Sequence, residues 1–520
     1  MTFAGPPEAK PGLGPAGSRE VPLREELLHY FDAQARLVEE AALQRILQSP
    51  SPWELSRRLL AGSSESAPLI SEALVLSLGE GAPPTLPLAA PRVPASARPP
   101  GPSGFCRLSA EERKGSSTPL EGVSSLLHAR FRHLARILRN RPELSHPQPI
   151  ASLAQARGET ALIGMVVDAE ISARSHHLLL EVEDDSGSVK VLVPKELPEA
   201  KETYLPDEML GLRVLPPRGA GSLALARAVY RPDVPLVRRP RTAEVPSRAL
   251  FLSDLHLGSK GFLTEAWLDL VEFLKGRGPA PELAERLDYL VLAGDLVDGI
   301  GVYPGQEADL TIADVVEQYA ELSRRLREIP SRIEIVALPG NHDAVCPAEP
   351  QPALPAELLG DLPPNVHLVS NPSTFSLDGV VVTAYHGRSF DELIPRIPHA
   401  RYEEPLPVMR RMLSMRHLGP TYGGKTPLAP SELDGLLLDP LPDILVTGHT
   451  HTFGVERWRG RLLINASTWL AETEYQRLRN IRPDPGKATW VDLQGGSVRV
   501  LDFLSRGGPS RILPGPAEVP

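Results

Sequence analysis

The spacing of apolar and polar positions changes character along the chain. Between Pro22 and Ala61 the apolar residues recur at helical intervals, from Leu27, Leu28, Tyr30 and Phe31 to Leu37, Val38, Leu43, Ile46 and Leu47. Ser49-Pro50-Ser51-Pro52 interrupts the pattern and Trp53 to Leu60 resumes it, so residues 1–62 read as a small helical module behind a Pro/Gly-rich leader. Residues 63–120 are dominated by Pro, Ala, Ser and Gly, the composition of a disordered linker. Within 121–145, Val123, Leu126, Leu127, Phe131, Leu134, Ile137 and Leu138 define one helix face, and Arg130, Arg132, Arg136, Arg139 and Arg141 decorate the rest, which is expected to be a solvated charged face rather than a phosphate-binding one. Pro142 ends that basic helix.

From 148 to 232 the period becomes that of strands. Ala161–Val167, Leu178–Glu183, Ser188–Val193, Gly211–Val214 and Leu223–Tyr230 are short apolar-rich runs, with Asp184-Asp185-Ser186-Gly187 as a hairpin turn. Such a set predicts a small OB-type β-barrel. Its only aromatic residues are Tyr204 and Tyr230, too few for a base-stacking platform, so a structural or protein-contact role is expected. From 247 to 505 apolar runs end in polar residues and helix-like segments follow, the pattern of an α/β domain with a functional rim; 506–520 is a tail.

That rim repeats one chemistry at five strand ends. Ala249–Ser253 runs into Asp254-Leu255-His256, and Leu287–Ala293 into Gly294-Asp295-Leu296-Val297-Asp298. Ile335–Leu338 leads through Pro339 to Gly340-Asn341-His342-Asp343, Val380–Tyr385 to His386-Gly387-Arg388, and Ile444–Thr447 to Gly448-His449-Thr450-His451. A single such exit is ordinary turn chemistry, because Asn and Asp favour turns for their own reasons. Five together point to a metal site, at the edge where open α/β sheets bind ligands. Residues two apart on an extended chain point the same way, so Asp254 can share a site with His256, and His449 with His451. Carboxylate, amide and imidazole donors suit Mn, Fe, Zn or Ni better than Mg or Ca. Seven ligands exceed the needs of one tetrahedral ion, so two ions sharing an Asp are expected.

Composition narrows the setting. The 520-residue chain is long enough for several domains. Its net charge of −10 gives no general attraction to nucleic acid, so any such binding needs local patches or a partner chain. Cys106 and Cys346 fit neither a disulfide framework nor a zinc spacing, as expected of a reducing compartment. The chain has no apolar run of membrane-spanning length and no signal-peptide pattern at Met1. A cytoplasmic, nucleoid-associated protein without membrane attachment is the expectation.

The motifs Asp254-x-His256, Gly294-Asp295-x-x-Asp298, Gly340-Asn341-His342-Asp343, His386 and Gly448-His449-x-His451 resemble those of the calcineurin-like metallophosphoesterase superfamily. The resemblance implies a two-sheet sandwich flanked by helices. It implies one ion on Asp254, His256, Asp295 and His451, and a second on Asp295, Asn341, His386 and His449. His342 would face the phosphoryl or leaving oxygen without binding metal, and Asp343 would orient it. Between these motifs, Gly294–Gln306, His386–Asp391, Arg416–Pro427 and Ile464–Trp469 resemble the small subunits of archaeal D-family DNA polymerases. That likeness implies a proofreading 3′→5′ exonuclease using two divalent ions, Mn ahead of Mg, Fe, Zn or Ni. Its partners would be a large polymerising subunit and DNA with a 3′ end. A stand-alone phosphoesterase or nuclease, and a catalytically silent scaffold subunit, are the alternatives. Arg388, Arg416, His417 and Lys425 are the candidate substrate contacts.

Overall fold

The computed structural model describes residues 104–108, 119–219, 222–235, 240–478, 481–504, 511–514 and 518–519, together with residues 27, 37–38, 40–49, 52–53, 55–56, 59 and 69–70. The expected leader, most of the linker at 63–120 and most of the tail at 506–520 lie outside the described residues. The chain divides into two units, 1–99 and 100–520.

In the first unit, helix Glu40–Gln48 lies where helical spacing predicts one. Leu27, Ala42, Leu43, Ile46, Leu59 and Ile70 form its buried cluster. Leu37–Val38 departs from the expected helix. It pairs in parallel with Leu69–Ile70, which falls inside the stretch expected to be linker. Two residues are too short to carry a strand period, and Leu and Val fit either pattern.

In the second unit, strands Thr160–Ile171, Leu178–Asp184, Gly187–Val193, Met209–Leu215 and Ala224–Tyr230 close into a five-stranded barrel. The first strand pairs with the second and the fourth, and the third pairs in parallel with the fifth. Alternate residues such as Leu178, Leu180 and Val182 fill the interior, the strand period expressed as burial. Helix Pro119–Arg139 lays Leu134, Ala135 and Leu138 against Ala161, Ile163 and Met165 of the barrel wall. Its Arg130, expected on a solvated face, is fully buried.

The remaining residues build two seven-stranded sheets. In the first, Val366–Leu368, Glu334–Leu338, Tyr289–Ala293 and Arg248–Leu252 run parallel, and Lys487–Asp492, Val498–Asp502 and Arg511–Pro514 extend it antiparallel. The second has the order Glu518–Val519, Phe453–Trp458, Arg461–Ala466, Ile444–Thr447, Val380–Ala384, Ser373–Leu377 and Phe105–Arg107. Phe105–Arg107 was expected to be linker; it adds an edge strand by pairing with Ser373–Leu377, a contact no local pattern can signal.

Alternation within each strand decides the layers. Phe251, Val291 and Val336 point between the sheets toward Val382, Ile444 and Ile464. Their neighbours Leu250, Leu290 and Ile335 point outward to a second core beneath helices Thr264–Leu274 and Val315–Arg327. Buried on both faces, these strands read as continuous apolar runs. Each buried side chain of this size contributes roughly 1.5–3 kcal/mol. Asp314 caps the second helix by accepting from the Val316 and Glu317 amides, at 2.8 and 3.1 Å. On the far face of the other sheet, Leu445 and Leu463 pack against Val408, Met409 and Met412 of helix Leu406–Met415. Among the described residues no helix is long and apolar enough to cross a membrane. Cys106 and Cys346 form no disulfide.

Candidate metal centre

The parallel strands bring their C-terminal ends to one edge, and the polar residues of all five exits meet there. Asp254 and Asp295 each follow their strand by two residues, as does His386; Asn341 follows Leu338 by three, and His449 and His451 follow Thr447. The turns are tight and strained. Asp254, His256, Asp295, His449 and His451 have φ of 53°, 51°, 46°, 70° and 58°, the left-handed region that costs non-glycine residues about 1–3 kcal/mol each. Five such residues side by side mark a place where packing holds side chains in one geometry. The motif glycines make room for them. A Cβ on Gly340 would overlap the Asp295 carboxylate, and one on Gly448 would overlap Asp254 and Ser253.

Three overlapping donor clusters result among the described residues, the third being His256, Asp295 and His342, which bridges the other two. Asp254, His256 and His451 converge in one, with His451 Nε2 3.3 Å from Asp254 Oδ1 and 3.0 Å from His256 Nε2. Asp295, His386 and His449 converge in a second, where His386 Nε2 lies 3.2 Å from Asp295 Oδ2 and 3.1 Å from Asn341 Oδ1. Asp295 also lies 3.8 Å from His256 Nε2, so it stands between the two.

The donor set fits divalent cations for three reasons. First, Asp254 and Asp295 are almost fully buried, and among the described residues neither is paired with Lys or Arg. Buried carboxylates without a cation are costly, and a metal ion is the usual remedy. Secondly, the imidazoles are preset. His256 Nδ1 donates to Asp298 Oδ1 at 2.9 Å and His386 Nδ1 to the Ala293 carbonyl at 3.1 Å, leaving each Nε2 lone pair toward the cluster. Thirdly, the field is strongly negative. Burial disfavours imidazolium, yet Asp254 and Asp298 push His256 up to about 10, and Asp295 pushes His386 up to about 9. Asp295 in turn, despite its burial, is held well below the usual carboxylate range by His386 and His342.

His342 stands beside these donors. Its Nδ1 donates to the Asp298 carbonyl at 2.8 Å, and its Nε2 lies 4.0 Å from Asp295 Oδ2. Burial pushes it below the ordinary imidazole value. The expected partner, Asp343, does not orient this ring. Its carboxylate accepts from the Gly340 and Leu296 amides at 2.8 and 3.1 Å and from the Tyr319 hydroxyl at 3.0 Å, tying two of the rim loops together. Burial and the charge of Asp295 push Asp343 up to about 6. Asp343 stabilises the loops, and the Asp298 backbone orients His342.

The expected substrate contacts separate. Arg388 lines the same cleft as Asp295 and His342, and among the described residues its side chain has no hydrogen bond or ion pair. Arg416 and His417 are buried away from the cleft. Arg416 Nε donates to the Leu438 carbonyl, and His417 Nε2 to Asp434 Oδ2 at 2.9 Å. Asp434 also accepts from Arg130 Nε at 2.6 Å, and Arg130 reaches the Pro420 carbonyl as well, so the basic residues of 416–417 belong to a buried network. Lys425 is exposed outside the cleft, its amide bonded to Glu392.

Sequence reasoning missed Asp391, whose Oδ2 meets His449 Nε2 at 3.0 Å while its Oδ1 accepts from the Tyr402 hydroxyl at 2.8 Å. The carboxylate lies inside the His386–Asp391 stretch, but nothing local connects it with His449, 58 residues on.

Two sheets stacked face to face between helices, with His, Asp and Asn gathered at the strand ends, make the fold of the calcineurin-like phosphoesterases. The profile of the DNA polymerase alpha/epsilon B-subunit family matches residues 249–455. The DNA polymerase II small subunit of Archaeoglobus fulgidus is 42% identical over 387 residues, 74% of this chain and 77% of that one. The DNA polymerase II small subunit of Methanothermobacter thermautotrophicus is 38% identical over 75% of this chain and 81% of its own length. The chain belongs to the family of archaeal DNA polymerase II small subunits. Among solved structures, a novel archaeal phosphodiesterase aligns with 49% of this chain and 98% of its own, at 14% identity and a TM-score of 0.25.

Proposed function

We propose that the chain is the 3′→5′ exonuclease of a D-family DNA polymerase and works bound to a large polymerising subunit. The observation that carries this reading is the set of overlapping donor clusters around Asp295 in one cleft, which His342 joins and Arg388 lines. Asp254, His256, Asp295 and His451 would hold one divalent ion, and Asp295, Asn341, His386 and His449 the other. Mn suits this mixture of imidazole, amide and carboxylate donors, with Mg, Fe, Zn or Ni as alternatives. Ions held there would supply an activated water and neutralise charge developing on a phosphodiester.

The protein's own side chains do the rest. Arg388 binds a phosphate oxygen of the strand, as a cation in the cleft whose side chain has no hydrogen bond or ion pair among the described residues. His342 is fixed by its Nδ1 and presents Nε2 to the cleft, where in its protonated form it donates to the phosphoryl or leaving oxygen. Asp391 holds His449, and Asp298 holds His256, in place for the ions. Retention of every ligand type argues against a silent scaffold, and kinship with polymerase small subunits argues against a stand-alone nuclease. DNA is therefore the substrate, presented as a 3′ end by the large subunit at the nucleoid.

The barrel's strand order suits an OB fold, here in a structural role. Arg231 lies 4.6 Å over the buried Tyr204 ring and Arg141 5.2 Å over Tyr230, so each ring already has one face covered.

His342→Ala tests the assignment. It abolishes Mn-dependent removal of 3′ nucleotides and leaves Mn binding and subunit assembly intact. Undiminished nuclease activity in this variant contradicts it.

A further inference from the structure

The cleft of about 1050 Å³ is larger than the metal centre needs, and its mouth is not wholly polar. The loop residues Gly299-Ile300-Gly301-Val302-Tyr303 form one side of it. Ile300 and Val302 stand 44% and 39% exposed there, and the lining continues through Val345 and Pro347. A scattered exposed aliphatic residue needs no explanation. These two stand on an anchored loop. Gly299 donates to Gln318 Oε1 at 2.8 Å and accepts from its Nε2 at 3.1 Å. The Val302 amide donates to Gln306 Oε1 at 2.9 Å, and Gln306 Nε2 donates to the Asp298 carbonyl and carboxylate at 2.8 and 3.0 Å. Both glutamines are fully buried.

The anchoring ties the loop to the reacting groups. Gly299 lies against the His342 carbonyl so closely that a Cβ would overlap it. Asp298, to which Gln306 is bonded, orients both His256 and His342. The aliphatic tips are therefore set at a fixed distance from the proposed site of phosphodiester cleavage. Arg388 lines the same cleft as a cation suited to phosphate, so charge for the backbone and an apolar surface occur together.

Resting on the exonuclease reading above, we propose that Ile300 and Val302 form an apolar wall against which the unpaired base of the 3′-terminal nucleotide packs. A base still paired to a template brings the opposing strand with it and cannot lie flat on this wall. A frayed or mismatched end can. The wall makes the site prefer an end that has left the duplex, with no reading of base identity, because every base has an apolar face.

The test uses the full chain assembled with its large subunit, in Mn and without nucleotides. Two single-stranded substrates differ only in the last residue, which is a normal nucleotide or an abasic tetrahydrofuran nucleotide. The unaltered protein removes the normal residue roughly tenfold faster. Ile300→Ala combined with Val302→Ala brings this ratio close to one, and Ile300→Leu with Val302→Ile keeps it. Because the ratio is taken within one protein preparation, partial misfolding does not imitate the result. A double-alanine variant that keeps the full preference overturns the wall alone. Failure of the unaltered protein to shorten either substrate overturns the exonuclease reading, and the wall with it.

Discussion

Asp298→Asn probes how far the metal centre depends on what lies behind its ligands. The Asp298 side chain is 3% exposed, and its Oδ1 accepts from His256 Nδ1 at 2.9 Å while its Oδ2 accepts from Gln306 Nε2 at 3.0 Å. Both neighbours are donors, so a carboxylate satisfies both and an amide cannot. Either orientation of the substituted amide sets an NH2 group against another N–H. The loss is one charge-assisted hydrogen bond, about 1.5–3 kcal/mol when buried. That corresponds to roughly 10- to 150-fold in Mn affinity, in line with the 10- to 100-fold cost of removing a residue that supports a ligating histidine. The Asp298 carbonyl, which holds His342, is unchanged by the substitution. Activity lost at low Mn should therefore return as Mn is raised. Titration followed by the electron paramagnetic resonance of free Mn, with nuclease rates measured across the same concentrations, reads both effects. Unchanged Mn affinity, or a loss that saturating Mn does not restore, would refute a role for Asp298 exerted through His256.

Gly340→Ala should lower Mn binding by at least tenfold, because its Cβ occupies the space of the Asp295 carboxylate; calorimetric titration gives the affinity and circular dichroism checks the fold. Asp434→Ala should destabilise the protein by about 3–5 kcal/mol in urea unfolding, since it strands the buried Arg130 guanidinium without its ion-pair partner. The same carboxylate predicts a pH dependence. Asp434 is buried, yet Arg130 and His417 hold it well below the ordinary 3.8. Its stabilising contribution is therefore fully present above that value and is lost progressively as pH falls below it toward the depressed folded value, and the variant should show a shallower acid limb than the parent.

The parallel strands of the phosphoesterase domain were legible because they are buried on both faces. Leu250 to Leu252 and Leu290 to Leu292 are unbroken apolar runs, and the first polar residues after them had to lie at the rim. The same reasoning brought Asp254, Asp295, His386 and His451 together before any fold was known. It failed wherever the deciding contact is remote. Arg130 looked like one of several arginines on a solvated helix face, but its partner Asp434 is 304 residues away. Arg416 and His417 looked like phosphate ligands because they are basic, and they are consumed by Leu438 and Asp434. Asp343 sits beside His342 in sequence yet points into the loop junction of Gly340, Leu296 and Tyr319. Phe105–Arg107 and Leu37–Val38 are strands only because a partner segment lies alongside.

The proposed removal of nucleotides from a 3′ end by this cleft, with the help of divalent metal, is the claim on which everything else depends. The most direct measurement is a time course of the purified protein, with and without Mn, on a 5′-labelled primer carrying a 3′ mismatch and on single-stranded DNA. A ladder of products shortened stepwise from the 3′ end is expected in Mn, absent in chelator and absent with His342→Ala. Intact primer in Mn, or products cut at internal positions, would contradict it.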